Sequence, residues 1–329
     1  MSRIVEFTSY GPPEVLQFKE VPDPKPGASE IALRVKAIGL NRAESMWRHG
    51  QYIEPVNLPA RLGYEAAGTV EAVGESVTEF KIGEAVDVIP NFSMNEYATY
   101  GDLIVVPAAS VVKQPVSLSF TEAASIWMMF ITAYSALVEG AKATKGDYVI
   151  ISSASSSVGL AAIQIANYAG ATSIALTRTS AKRKQLTEAG AKHIIATQEV
   201  DLVQEVMRIT NGAGARIAFD AVGGPNFPKM ISALAPLGIL YIYGALAETV
   251  TPLPVLDMIA KMPTIKGHNI WLTSGNPEKL KVAVAYVRKG FDEGKLKPII
   301  DRTFPFDQIV EAHRYLETNG QFGKIVAVL

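Results

Sequence analysis

The chain has 329 residues, 48% of them hydrophobic and 19% charged, a composition that calls for a large interior divided between two domains. Its formal net charge of -1 gives no steering toward nucleic acid or an anionic membrane surface. It contains no cysteine, which excludes disulfides, thiolate nucleophiles, iron–sulfur clusters and cysteine-held zinc.

The opening segment, MSRIVEFTSYG, lacks the basic-then-apolar pattern of a signal peptide. Ile4–Phe7, Leu16–Val21, Glu30–Ile38, Ala67–Val73 and Ala85–Ile89 are β-branched runs bounded by Gly and Pro clusters such as Gly11-Pro12-Pro13. They predict a β-rich, barrel-like or sandwich domain. At Ser119-Phe120-Thr121-Glu122 the pattern changes to a capping box, which predicts an apolar helix to about Leu137. Its most apolar part, Ala123 to Val138, is shorter than the ~20 residues of a membrane span. It reads as a buried helix, and the protein as cytoplasmic.

From Tyr148 onward strands and helices alternate. The predicted strands are Tyr148–Ser153, Ser173–Thr177, His193–Ala196, Arg216–Ala221, Ile239–Tyr243 and Thr264–His268. Between them lie helices Leu160–Ala169, Ala181–Ala189, Leu202–Ile209, Phe227–Leu234 and Val255–Lys261. This series predicts an α/β fold with a doubly wound, parallel, six-stranded sheet. Helix Glu278–Phe291, strand Asp301–Phe306, helix Ile309–Glu317 and strand Lys324–Leu329 complete the chain. The expected arrangement is a nucleotide-binding domain, 122–269, inserted in a second domain made from 1–121 and 270–329.

The turn after the first strand of that series is Ser153-Ala154-Ser155-Ser156-Ser157-Val158-Gly159. A dinucleotide site needs small residues there, so that the backbone can approach a pyrophosphate at the helix N-terminus. A serine-rich loop alone is more often a linker; its place between a strand and an apolar helix gives the cofactor reading. An NAD site also wants a carboxylate ~20 residues further on, at the end of the second strand. This chain has Thr177-Arg178-Thr179-Ser180-Ala181-Lys182-Arg183 instead. Arg178, Ser180 and Lys182 at a helix start suit a 2′-phosphate, so the expected cofactor is NADPH.

With Gly39-Leu40-Asn41-Arg42-Ala43-Glu44, the segment Leu58–Val70, Thr132-Ala133-Tyr134, Asp220-Ala221-Val222-Gly223-Gly224 and Gly323-Lys324-Ile325-Val326, the chain resembles a known family over essentially its full length. It is similar to the quinone oxidoreductase branch of the medium-chain dehydrogenase/reductase superfamily. The resemblance implies a GroES-like catalytic domain from the two chain ends, a Rossmann domain between them, a cleft where they meet, and a homodimer joined through the edge of the Rossmann sheet. Members reduce quinones or activated alkenes with NADPH. Zinc enzymes of the superfamily carry a Cys where Asn41 stands and a His-Glu pair where Tyr64-Glu65 stands. Glu65 alone is too few ligands for a catalytic zinc. Without that Lewis acid, hydride delivery to an already electron-poor quinone or enone is favoured.

Carried over by position, Asn41, Tyr52 and Tyr64 face nicotinamide and substrate, with the tyrosines as hydrogen-bond donors to a carbonyl oxygen. The plainer alternatives are that Asn41 caps a local turn and that Tyr52 is a packed aromatic. Thr132 is expected at the nicotinamide, and Ser155, Ser156, Ser157, Val158 and Gly159 at the pyrophosphate. Tyr243, Gly244 and Asn269 lie at carboxyl ends of strands, where ligands bind in such sheets. Phe322, Gly323 and Lys324 resemble a cofactor-contacting tail. The chain departs from the family in having Ser156 and Ser157 for paired glycines, Thr197 for a tyrosine and Tyr64 for a threonine. No metal is expected; His49, His193, His268 and His313 make no metal-spaced pair and read as structural. A non-catalytic NADPH-binding protein is the alternative from another class.

Overall fold

The computed structural model describes every residue, Met1–Leu329. The chain divides into two compact units, one of Met1–Met128, Ser274–Glu278 and Pro298–Leu329, the other of Met129–Thr273 and Lys279–Lys297.

The first unit contains β1 (Ser2–Phe7), β2 (Gln17–Val21), β3 (Glu30–Leu40), α1 (Arg42–Arg48), β4 (Ala60–Arg61), β5 (Glu65–Val73), β6 (Ala85–Val88), β7 (Leu103–Pro107), β8 (Val111–Lys113) and α2 (Phe120–Ala123). Strands β7 and β8 and helix α1 were not foreseen from the sequence. Strand β3 is the spine, pairing antiparallel with β5, β7 and the last strand of the chain. It is buried on both faces along most of its length, which is why its sequence, EIALRVKAIGL, hardly alternates. Gly39 lets α2 close over it, because a Cβ there would lie 2.0 Å from the Ala124 carbonyl oxygen.

Helix α3 (Trp127–Tyr134) leads into the second unit, which holds β9 (Tyr148–Ile151), α4 (Ser157–Tyr168), β10 (Thr172–Thr177), α5 (Arg183–Glu188), β11 (His193–Ala196), α6 (Leu202–Ile209), β12 (Ala215–Asp220), α7 (Asn226–Ser232), β13 (Leu234–Ile242), α8 (Val255–Lys261) and β14 (Thr264–Gly267). The six strands run parallel in the order β11-β10-β9-β12-β13-β14. The doubly wound sheet expected from the alternating pattern is therefore present. Its core joins Ile150, Ile174, Leu176, Ala218 and Leu240 from the strands to Val206, Phe227 and Met230 from the helices. The order reverses between β9 and β12, so the carboxyl ends of those strands open the crevice where ligands bind in such sheets.

Helices α9 (Trp271–Ser274) and α10 (Pro277–Asp292), strand β15 (Ile300–Pro305), α11 (Ile309–Glu317) and β16 (Lys324–Val328) follow. The unit boundaries differ from the expected 121/122 and 269/270. Residues 279–297 pack with the second unit: Phe291 lies edge-on to Phe130 at 5.3 Å, Tyr286 contacts Tyr134 and Tyr168 at 4.9 and 5.0 Å, and Lys279 pairs with Glu139 at 2.5 Å. An amphipathic pattern states that a helix has a buried face; it does not state which core that face covers.

The expected helix from Ser119 to about Leu137 also differs in detail. The capping box forms, with Glu122 Oε2 accepting from Ser119 N at 2.8 Å, but the helix breaks after Ala123 and ends in a π segment, Ser135–Gly140. The whole run Phe120–Gly140 is 21 residues, long and apolar enough to cross a membrane, yet 83% of its most apolar window is buried inside the protein. Trp127, Met128, Met129 and Phe130 are all core residues, as their sequence run suggested.

Candidate active site

In the second unit the serine-rich turn after β9 is built by capping chemistry. The backbone turns sharply at Ser153, in the left-handed region at φ 47°. Ser156 then N-caps α4, its hydroxyl accepting from Gly159 N at 3.0 Å. The N–H groups of Ser157 and Val158, in the first turn, have no acceptor within the helix. Only glycine fits at 159, where a Cβ would lie 2.4 Å from the Ser153 carbonyl oxygen. Serines therefore do at this turn what small size allows, while the one position of closest approach keeps its glycine.

The neighbouring strand ends are tied to this turn. Ser152 Oγ donates to Asp220 Oδ1 at 2.5 Å and accepts from Ala221 N at 2.9 Å. Asp220 also accepts from Val222 N and Gly223 N, which shapes the Asp-Ala-Val-Gly-Gly turn, and its burial pushes its carboxyl up. Tyr243 stacks on Phe219 at 4.0 Å, and its hydroxyl is buried beside Ser156 without a hydrogen-bond partner. Gly244 passes so close to β12 that a Cβ would lie 2.6 Å from Ala221 O. Asn269 caps α9, accepting from Trp271 N at 3.0 Å. Thr132 is buried on α3. An unpartnered donor, free first-turn amides and glycines at the close approaches together fit a phosphate-bearing dinucleotide.

The basic cluster reaches this turn. Lys182 Nζ donates to Ser155 Oγ at 3.2 Å, and Arg178 is exposed. The segment itself carries no carboxylate, but one reaches it from elsewhere in the chain. Glu199, after the third strand, accepts from Ser180 N at 2.7 Å and Ser180 Oγ at 3.1 Å. Sequence spacing searches the end of the second strand and misses a carboxylate supplied by the third. Two cations still outnumber it.

In the first unit, α1 follows β3 directly, and β16 runs beside β3 with Ile325 opposite Leu40. This register brings Lys324 to Asn41. Lys324 Nζ donates to Asn41 Oδ1 at 2.6 Å and to Glu65 Oε1, and all three side chains are buried. Asn41 Nδ2 is turned to Gly39 O and Glu44 Oε1, each at 3.2 Å. The carboxamide of Asn41 is thus bonded inside the unit, at the N-cap of α1. The Lys324 ammonium thus gives two of its three N–H groups to Asn41 and Glu65. Glu65 uses its other oxygen on Met128 N at 2.8 Å. Phe322 is half-buried, and Gly323 has φ 115°, where a Cβ would meet Ile299 O at 2.3 Å.

Glu44 is the residue that sequence reasoning missed. It accepts from Asn41 N at 2.7 Å and Tyr64 N at 3.2 Å, and burial pushes its carboxyl up to about 7 against the pull of Lys324. Its place three residues after Asn41 matches a capping box and was the available signal. Above it the rings of Trp47, Tyr52, Tyr64 and Phe92 follow one another at 6.0 to 6.2 Å. Burial pushes the Tyr52 phenol up to about 12 and the Tyr64 phenol higher still. The Tyr64 hydroxyl is buried with no hydrogen-bond partner. No group of three His, Cys, Asp or Glu side chains is arranged to hold a metal ion.

Two family models match the chain, "Zinc-binding dehydrogenase" over residues 157–289 and "Alcohol dehydrogenase GroES-like domain" over residues 27–116. A human quinone oxidoreductase is 30% identical over 333 residues, covering 100% of this chain and 98% of the relative. A rat synaptic vesicle membrane protein VAT-1 homolog is 29% identical over 344 residues, covering 99% of this chain and 84% of that one. Among solved structures, the Escherichia coli quinone oxidoreductase complexed with NADPH superposes with a TM-score of 0.91, at 27% identity and 100% coverage of both chains.

Proposed function

The chain belongs to the zinc-free quinone oxidoreductase branch of the medium-chain dehydrogenase/reductase superfamily, and from that membership we propose that it transfers hydride from NADPH to a quinone or an activated alkene. The observation that carries the cofactor choice is Lys182 on Ser155, with Arg178 exposed just after β10, where an NAD site would present a carboxylate. The NADPH complex of the related Escherichia coli enzyme supports the same choice.

When bound, NADPH supplies the hydride. The chain's own residues do the rest. Ser157 and Val158 offer backbone N–H groups to the pyrophosphate, and Ser155 and Ser156, which already accept a hydrogen bond each, keep their O–H groups as donors. Arg178 and Lys182 hold the 2′-phosphate. The phenols of Tyr52 and Tyr64 hold their protons far above neutral pH, so they donate hydrogen bonds to a carbonyl oxygen that gains charge and do not give up the proton. Product protonation falls to water.

We also propose a homodimer through the β14 edge. Strand β14 has an unpaired side, and α8 beside it buries no residue, with Leu256 82% and Ile259 69% exposed.

The test is stopped-flow loss of NADPH absorbance with a panel of quinones and α,β-unsaturated carbonyls. Turnover of at least one class is expected. Tight NADPH binding with no turnover of any acceptor would instead make this a non-catalytic NADPH-binding protein.

A further inference from the structure

His268 stands directly before Asn269, at the carboxyl end of β14. Its Nε2 lies 3.1 Å from the backbone carbonyl oxygen of Thr132 on α3. A carbonyl only accepts, so the ring carries its proton on Nε2. Burial pushes the imidazole down to about 4, which keeps it neutral and in that one tautomer.

The ring is also fixed from its sides. Phe219 lies 6.3 Å from it and Tyr241 5.8 Å, both edge-on. Phe219 is the ring on which Tyr243 stacks. His268 N donates to Ile242 O at 2.8 Å, one residue before Tyr243. Thr132 lies just before the change from α to π register at Ser135, a junction that displaces the usual carbonyl–amide pairing and often accompanies function. His268 supplies a donor at that junction. Of three positions read as cofactor contacts, Thr132 is bonded to this side chain, Tyr243 is linked to it through Phe219, and Asn269 follows it in the chain.

We infer that His268 is a positioning residue for the nicotinamide end of the cofactor site, its Nε2–H bond fixing Thr132 relative to Tyr243 and Asn269. The inference rests on the NADPH reading above. Two variants separate the bond from the packing: His268→Phe keeps a ring between Phe219 and Tyr241 but has no donor, and His268→Gln keeps a donor. Loss of one buried hydrogen bond corresponds to about a fivefold weakening. NADPH titration by fluorescence should therefore show His268→Phe about fivefold weaker than wild type and His268→Gln close to it, with thermal midpoints little changed. In the ligand-free protein, imidazole ¹⁵N shifts should report a neutral Nε2–H ring below the ordinary histidine pKa of about 6.5. An Nδ1–H tautomer, a His268→Phe variant that binds as wild type, or a His268→Gln variant as weak as His268→Phe would each overturn the inference. A wild-type protein that does not bind NADPH would overturn the function proposal itself, while the ¹⁵N measurement still judges the contact with Thr132.

Discussion

Glu65 and Lys324 form an ion pair with both side chains fully buried, where desolvation is costly and any lost partner is felt. Replacing Lys324 by Met leaves a buried carboxylate with no cation beside it and Met128 N still bonded to one oxygen, and should lower stability by about 3–5 kcal/mol in urea unfolding. Adding Glu65→Gln removes that unpaired charge and should recover most of the loss; no recovery would mean that the aliphatic stem of Lys324, not its charge, does the stabilising. The cofactor cluster offers a second test at this scale. On the proposed placement of the 2′-phosphate, Arg178→Ala with Lys182→Ala removes charge-assisted bonds, about 1.5–3 kcal/mol each, from NADPH only. NADPH should weaken by two orders of magnitude or more, and NADH far less. Equal weakening of both would place the 2′-phosphate elsewhere.

Among elements, α8 stands apart because its apolar side chains, Val255, Leu256 and Ile259, face solvent. Met258 is the apolar residue of α8 that packs against the core, so the outer apolar surface of the helix is what a second copy would cover. Leu256→Glu with Ile259→Glu should convert the proposed dimer to monomer in light scattering, without lowering the thermal midpoint of the monomer. A wild-type protein already monomeric at micromolar concentration would sink the proposal. The π segment Ser135–Gly140 is the other irregular element. It is held by Thr273 Oγ1 donating to Glu139 at 2.7 Å, by Lys279 on the same carboxylate, and by the close fit of Gly140 against the Tyr241 hydroxyl. Nothing in the local sequence announces it, because its partners lie more than a hundred residues away.

For the whole molecule, pH acts through several buried groups, and His268, His313 and Glu44 are three of them. His268 and His313 are held neutral, pushed down to about 4 and about 3 by burial, so the unfolded chain takes up protons below 6.5 that the fold refuses. Their contribution is present above 6.5 and is lost as pH falls. Glu44 has the opposite sign. Its carboxyl, pushed up to about 7, gives stability that is full below the ordinary 4.5 and is lost as pH rises through 7. Between 6.5 and 4.5 Glu44 therefore offsets about one of the two histidine protons. Glu44→Gln should steepen the fall in unfolding free energy over that window by about 1.4 kcal/mol per pH unit. Equal slopes for the variant and wild type would show that Glu44 is ionised throughout.

The parallel sheet, its strand number and the phosphate turn were legible in the sequence, because alternation of period, capping residues and Gly159 are local signals. The absence of cysteine and the basic segment from Arg178 to Arg183 were equally plain. What only the tertiary structure decided were partnerships across long separations. The partner of the Asn41 carboxamide is not legible until β16 brings Lys324, 283 positions later, onto it. The second strand reads as free of carboxylates until Glu199 reaches Ser180 from the third. Helix α10 reads as part of the terminal domain until Tyr286 and Phe291 pack on the other core. Local patterns fix which elements form, since backbone hydrogen bonds and side-chain periodicity are short-range; which buried polar group meets which is fixed only when the sheet register and helix packing bring distant segments together.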